Sequence, residues 1–215
     1  MIRVVVADDE ALLRAGIVRL VETAPDLEVV GQAEDGTEAV LLVRAHGPDV
    51  LLLDMQMPVM DGLDATIAVH REHPETAVVV LTSHLTDDYV LPALRAGAAG
   101  YLLKDSTPEE LHQGIRAAVA GDAILSPRVA RHLLAAAGDD VAGHRADARR
   151  RLAVLAPKER EVVTALADGL SNAGIAARLF LAESTVKAYL ASAMSKLGTA
   201  NRTQTAILAH EAAHP

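Results

Sequence analysis

The 215-residue chain has no cysteine and no tryptophan, and only 2% of it is aromatic: Phe180, Tyr89, Tyr101 and Tyr189. The missing thiols exclude disulfides and thiolate metal sites. With so few rings, the core must be aliphatic, and the 51% apolar content is ample for one. No run approaches the ~18 apolar residues of a membrane span, and no basic segment leads into an apolar one at the start. A cytoplasmic protein with no membrane partner is expected. There is no G-x-G-x-x-G or Walker loop, so neither common nucleotide-binding motif is offered.

The charge is unevenly placed. Of the net −9, residues 1–122 carry 8 Lys/Arg against 21 Asp/Glu (−13), and residues 123–215 carry 12 against 8 (+4). An acidic half followed by a basic half predicts two domains with different partners, the second facing a polyanion.

The first half alternates strand and helix. Ile2–Ala7 is a β-branched strand running straight into Asp8-Asp9-Glu10. Residues 10–22 then follow helical spacing, with Leu12, Leu13, Ile17, Leu20 and Val21 on one side. Strands are expected at 27–33, 50–53, 77–81 and 100–103, and helices at 36–46, 63–73 and 87–95. A last helix starts at Thr107 as N-cap, with Pro108 at its first position and Glu109 and Glu110 in its first turn. Leu111, Ile115 and Val119 form its stripe, and Gly121 ends it. Five strands alternating with five helices predict a doubly wound parallel sheet of flavodoxin-like order 2-1-3-4-5.

The polar residues then fall on one rim. The stretch VLLLDMQMPVMD, Val50–Asp61, is a buried strand ending in Asp54, followed by a loop and an Asp61-Gly62 turn. Asp8 and Asp9 end the first strand, Thr82 ends the fourth and Lys104 follows the fifth, all at carboxyl ends. Strands one and three are neighbours at the switch point, so three carboxylates share a crevice. Taken singly, Asp8-Asp9 reads as well as a helix cap, Thr82 as a strand end, and Lys104 as a solvated lysine. Together they read as a site. Crowded carboxylates recruit a cation or raise a pKa, and oxygen-only ligands favour Mg²⁺. One lysine and one hydroxyl opposite make a phosphoryl holder, with Asp54 as nucleophile.

Asp8-Asp9 after VVVA, Asp54 in LLLDMQMPVMDG, Thr82 in VVVLTS and Lys104 in GYLLKD give residues 1–122 a close resemblance to the receiver domain of bacterial response regulators. The resemblance implies that Asp54 takes phosphate from a cognate sensor histidine kinase. It implies Mg²⁺ on Asp9, Asp54 and the backbone carbonyl of Gln56, with Asp8 acting through water. Thr82 and Tyr101 match the family's switch pair, in which the ring turns into space vacated by the hydroxyl; taken alone, Tyr101 reads as a half-buried strand aromatic. Haloacid-dehalogenase phosphatases also use an Asp after a strand, but need a second acid two residues on. Gln56 stands there, so an enzyme is not expected.

In the second half, a short helix from Ser126-Pro127 to Ala137 is expected, then a flexible linker over 138–151 that includes Arg149-Arg150-Arg151 as a solvated cluster. From Leu152 onward four helices are expected, at 157–168, 172–179, 183–197 and from Asn201 to about 211. The middle pair has helix-turn-helix spacing, which pattern alone does not separate from a plain bundle. The stretch LAPKEREVVTALADGLSNAGIAARLFLAESTVKAYLASAMSKLG resembles the LuxR-type DNA-binding domain throughout. With the receiver, it resembles the NarL/FixJ class of response regulators. The organisation implied is a receiver at 1–122, a linker at 123–151 and an all-α DNA-binding domain at 152–215.

By position, residues 183–197 are the recognition helix for the major groove of double-stranded promoter DNA. The resemblance implies that Thr185, Lys187, Ala188 and Ala191 face the groove and that Asn172 and Lys196 are candidate DNA-backbone contacts. It also implies that Ile207 and Leu208 of the last helix pair with a second copy in a homodimer formed on phosphorylation. The expected function is phosphorylation-dependent transcription regulation. The alternative is a phospho-dependent protein-interaction module with a degenerate helix-turn-helix. That alternative rests on Ala156 and Ala182, at N-cap positions where an oxygen-bearing residue is worth roughly 0.5–2 kcal/mol, on Gly174, where Glu would complete a capping box, and on a recognition helix with Ala191 at a reader position and only Lys187 and Lys196 as basic residues.

Overall fold

The computed structural model describes residues 1–83, 87–121, 124–125, 148–199 and 201–213. The chain forms two compact units, residues 1–133 and 134–215. The expected helix at 126–137 lies outside the described residues.

The first unit is a parallel sheet built from β1 (Ile2–Ala7), β2 (Leu27–Ala33), β3 (Val50–Asp54), β4 (Ala77–Thr82), β5 (Gly100–Leu103) and β6 (Ile124–Leu125), in the order 2-1-3-4-5-6. The expected order of five strands is met. The two-residue β6 extends the edge beyond β5; its brevity left no periodicity to read. Between the strands run α1 (Ala11–Glu22), α2 (Gly36–His46), α3 (Gly62–Glu72), α4 (Asp87–Ala96) and α5 (Pro108–Ala120). The central strands β1 and β3 are buried nearly throughout, because helices cover both faces. Val4, Val6, Leu52 and Leu81 pack with Ile17, Val21, Leu111 and Ile115 on one face. Val5, Leu51 and Leu53 pack with Ala39, Val43, Ala65 and Val69 on the other.

Local signals account for the helix ends. Thr107 and Glu110 cap α5 reciprocally, each side chain accepting the other's backbone N–H. Asp35 caps α2, with its side chain accepting from the Glu38 amide. Two stripe positions were misread. Leu12 is 92% exposed and Val119 is 45% exposed; Leu13 packs toward the core from α1, and Ala118, rather than its neighbour, is buried in α5. Nor is Asp61-Gly62 a free turn. Asp61 is the N-cap of α3, accepting from the Asp64 amide, and Gly62 is its first residue.

The second unit contains α6 (Pro157–Ala167), α7 (Asn172–Leu179), α8 (Glu183–Leu197) and α9 (Arg202–Ala213). Its core joins Val162, Val163 and Leu166 of α6, Ile175 of α7, Val186, Leu190, Ala193 and Leu197 of α8, and Leu208 of α9. Residues 148–152 are helical rather than linker. Ala148 is buried in this core, Arg149 donates to the carbonyl of Ala212 and Arg151 to that of Leu197. Arg149 and Arg151 of the exposed cluster therefore also cap the ends of α9 and α8, where cations are favoured.

Candidate functional site

The strand ends of the first unit converge on one acidic rim. The carboxylates of Asp8, Asp9 and Asp54 bring ligand atoms within 4.8 Å of one another. Asp8 and Asp54 are buried and Asp9 is exposed. The Lys104 ammonium, with its side chain only 7% exposed, lies 2.8 Å from Asp8 Oδ2 and 3.0 Å from Asp54 Oδ2. The other Asp54 oxygen accepts from the Met55 amide at 2.8 Å, and Asp8 Oδ1 accepts from the Glu10 amide at 2.9 Å. Asp8 therefore holds the start of α1 as well as a place in the site. Arg14 reaches back one helical turn to donate to the Asp8 carbonyl; nothing in the sequence pattern singled it out.

Burial pushes the Asp54 carboxyl above the usual carboxylate range. Lys104 pulls it back, and the neighbouring Asp8 charge adds to the rise. Burial acts to lower Lys104, but its bonds to Asp8 and Asp54 outweigh that and hold its pKa above the ordinary value. One buried cation between two buried carboxylates leaves a net negative charge beside the exposed Asp9. This donor set fits a hard divalent cation. Gln56 is exposed on the loop two residues beyond Asp54.

The loop after β3 is drawn tightly against the site. A Cβ on Gly62 would lie 2.2 Å from the Asp54 carbonyl oxygen, so only glycine allows α3 to start there. Val59 has a positive φ of 66° and is 87% exposed, an uncommon conformation for a β-branched residue. Thr82 is buried at the end of β4. The Tyr101 ring is fully buried rather than half-buried. Burial raises the Tyr101 pKa, partly offset by the nearby Thr82 hydroxyl.

In the second unit, α7 and α8 are joined by a turn over Phe180–Ala182, with Phe180 in the left-handed region at φ 54°. Val186, Leu190, Ala193 and Leu197 form the buried stripe of α8. Lys187, Ala188 and Ala191 are exposed on the other side, and Thr185 is half-buried beside them. The two expected DNA-backbone contacts both have partners within their own unit, although Lys196 itself is exposed. Asn172 is buried and accepts from Arg202 at 2.5 Å, and Lys196 is bonded to both carboxylate oxygens of Glu159. Leu208, expected to face a second copy, is buried in its own unit's core, while Ile207 is half-buried. Ala156 and Ala182 supply no side-chain cap, as their composition requires. Sequence reasoning missed Glu159. Its position three residues after an N-cap site was a signal, obscured because alanine occupies the cap.

Two family models match the chain: the response regulator receiver domain over residues 4–116, and bacterial regulatory proteins of the luxR family over residues 153–209. The transcriptional regulatory protein LiaR of Bacillus subtilis strain 168 is 38% identical over 213 residues, 98% of this chain and 97% of LiaR. The nitrate/nitrite response regulator protein NarL of Escherichia coli K12 is 35% identical over 208 residues, 97% of this chain and 94% of NarL. Among solved structures, the response regulator ChrA of a heme-sensing two-component system is 36% identical, with a TM-score of 0.55 over 97% of this chain and 95% of ChrA. These relatives lend no support to a protein-interaction module without DNA binding.

Proposed function

Because the chain belongs to the response-regulator family with a LuxR-type DNA-binding domain, and is a DNA-binding transcriptional regulator of a two-component system, we propose that phosphorylation of Asp54 is its switch. The observation that carries this reading is the crowding of Asp8, Asp9 and Asp54 within 4.8 Å, with Lys104 bridging two of them.

The phosphoryl donor is a histidine kinase. An Asp54 carboxylate oxygen forms a bond to phosphorus, the phosphorus–nitrogen bond to the kinase imidazole breaks, and its electron pair returns to the ring nitrogen. Lys104 faces the transferring group and meets its oxygens, and the Thr82 hydroxyl donates to another. Asp9, Asp54 and the Gln56 carbonyl are the residues that would hold Mg²⁺, with Asp8 acting through water. When bound, Mg²⁺ supplies charge neutralisation at the phosphoryl oxygens. Gln56 is no acid, so the chain is an acceptor rather than a phosphatase. As the Thr82 hydroxyl is drawn to the phosphoryl group, the Tyr101 ring is fixed inside, which biases the α4–β5 surface.

In the second unit α8 enters the major groove of promoter DNA and presents Thr185, Lys187, Ala188 and Ala191. Phosphorylation brings two copies together, so that two half-sites are bound at once. With Leu208 committed to the core, Ile207 is the apolar residue of that pair left for such contact. The protein acts in the cytoplasm; among the described residues no helix is long and apolar enough to cross a membrane. The test is incubation with acetyl phosphate and Mg²⁺, read by intact mass. A gain of one phosphoryl group is expected, absent in Asp54→Ala; a gain retained in that variant would move the acceptor elsewhere.

A further inference from the structure

The cation at the C-terminal end of α8 is not free. Glu159, in the first turn of α6, is 4% exposed. Its carboxylate accepts from the Ala156 amide at 2.8 Å, from Ser192 Oγ at 2.7 Å, and from Lys196 Nζ at 2.6 and 2.8 Å. With no oxygen on Ala156, only half of a capping box forms, and α8 supplies the remaining donors. Ser192 and Lys196 stand four apart, on one face of α8. These bonds hold Glu159 down to about 2, so it is fully charged in solution. Turning Lys196 toward a DNA phosphate would strand that buried charge with two neutral donors.

Lys187 contrasts with it. Its partner Glu183 is 3.7 Å away, and both side chains are more than half exposed. Such a pair is released at little cost. The other described lysines and arginines of this unit also have partners within the fold, among them Arg149, Arg151, Arg160, Arg178 and Arg202.

We infer that Lys196 serves DNA recognition through Glu159 rather than by touching DNA: the Glu159–Ser192–Lys196 cluster fixes the pose of α8 against α6, and Lys187 is the cation that α8 gives to the phosphates. Glu159 and Lys196 are thus positioning residues, and the inference rests on the DNA-binding reading above. The two roles leave different signatures. Losing a phosphate ligand weakens binding to all duplexes alike and makes the salt dependence shallower by roughly 0.9 in log K against log salt. Losing a positioning residue leaves that slope alone and erodes the preference for the right sequence.

The test uses the full-length protein and a duplex that the wild type selects from a random library, beside a scrambled duplex of equal length. Affinities are measured from low to moderate KCl, with far-UV circular dichroism on each variant. Lys187→Gln is expected to lose about 0.9 of slope on both duplexes. Lys196→Gln and Glu159→Gln should keep the wild-type slope, bind the selected duplex about tenfold more weakly, and bind the scrambled one within twofold of wild type. Lys196→Arg, which still reaches Glu159, should return to within threefold. A slope loss of about 0.9 in Lys196→Gln, with both duplexes weakened alike, would overturn the inference. A second measurement needs no variant: lysine acetylation read by mass spectrometry with and without the selected duplex. DNA should protect Lys187 at least fivefold and leave Lys196 within twofold; strong protection of Lys196 would also overturn it. If no duplex is enriched, the DNA-binding reading itself falls, a result distinct from a change at Lys196.

Discussion

Lys104 lies 3.0 Å from Asp54 and 2.8 Å from Asp8, the cation that pairs with both buried carboxylates. Removing it would leave Asp8 and Asp54 facing each other unneutralised. Lys104→Met is therefore expected to lower stability in EDTA by on the order of 3 kcal/mol, the scale seen when one partner of a buried pair is deleted. Mg²⁺ should restore part of it. Urea midpoints with and without Mg²⁺ check this, and equal losses in both conditions would count against a cation at the rim. The variant should still accept phosphate on Asp54 but transmit it poorly to DNA binding.

Two glycines of the first unit should respond oppositely to alanine. Gly62 has no room, since its Cβ would meet the Asp54 carbonyl oxygen at 2.2 Å. Gly62→Ala must push the β3–α3 loop away, at about 1–3 kcal/mol, and should slow phosphoryl uptake from acetyl phosphate. Gly16 lies inside α1 with nothing within 4 Å of its Cβ. Gly16→Ala should stabilise by about 0.5–1 kcal/mol and leave uptake unchanged. Denaturant midpoints and phosphorylation time courses on the same two variants separate the effects.

Much of this was legible before the fold was known. The strands end in Asp8, Asp54 and Thr82 with little ambiguity, because a buried parallel strand reads as a short apolar run and its rim residue interrupts it. The turn chemistry at Thr107 was equally local, whereas the cap that Asp35 gives α2 went unread. What failed was long-range or depended on helical phase. Leu12 and Leu13 are both apolar neighbours, and only packing decides which turns inward. The roles of Asn172 and Lys196 were carried over by position, whereas Arg202 and Glu159, 30 and 37 residues away, determine what they touch. Gly62 read as a turn glycine; its actual constraint is a backbone oxygen eight residues earlier in the chain. No periodicity encodes contacts of this kind.

Acid should act on the second unit through Glu159. Bonds from Lys196, Ser192 and the Ala156 amide lower its pKa from 4.5 to about 2. A carboxyl with a depressed folded-state pKa contributes stability that is complete above its unfolded value and is lost as pH falls through the folded one. Its share should therefore be intact above pH 4.5 and disappear toward pH 2. Glu159→Gln should flatten the pH dependence of the helix-loss midpoint over that window. An unchanged slope would show that other carboxyls dominate.

The last expectation concerns the start of α7. Ser171 Oγ accepts from the Gly174 amide at 3.2 Å, so one half of a capping box is already in place. A Cβ at Gly174 would meet Leu170 and Ser171 at 3.5 Å, ordinary contact distance, and its φ is not positive. The glycine is therefore not required by backbone conformation or by a close approach. Gly174→Glu adds a better helix former and a carboxylate able to reach back to the Ser171 amide, and should stabilise by about 1–2 kcal/mol. The full chain is the proper host, because the helical residues 148–152 belong to this core and a fragment starting at residue 152 would remove Ala148, Arg149 and Arg151. The new charge also suits the positive end of the α7 dipole, but it approaches DNA phosphates as α8 docks. Stability should rise while affinity falls, and the affinity loss should shrink as salt is added. Urea midpoints and DNA titrations at two salt concentrations measure both halves; a lowered midpoint would show that α7 needs the flexibility of glycine at its third position.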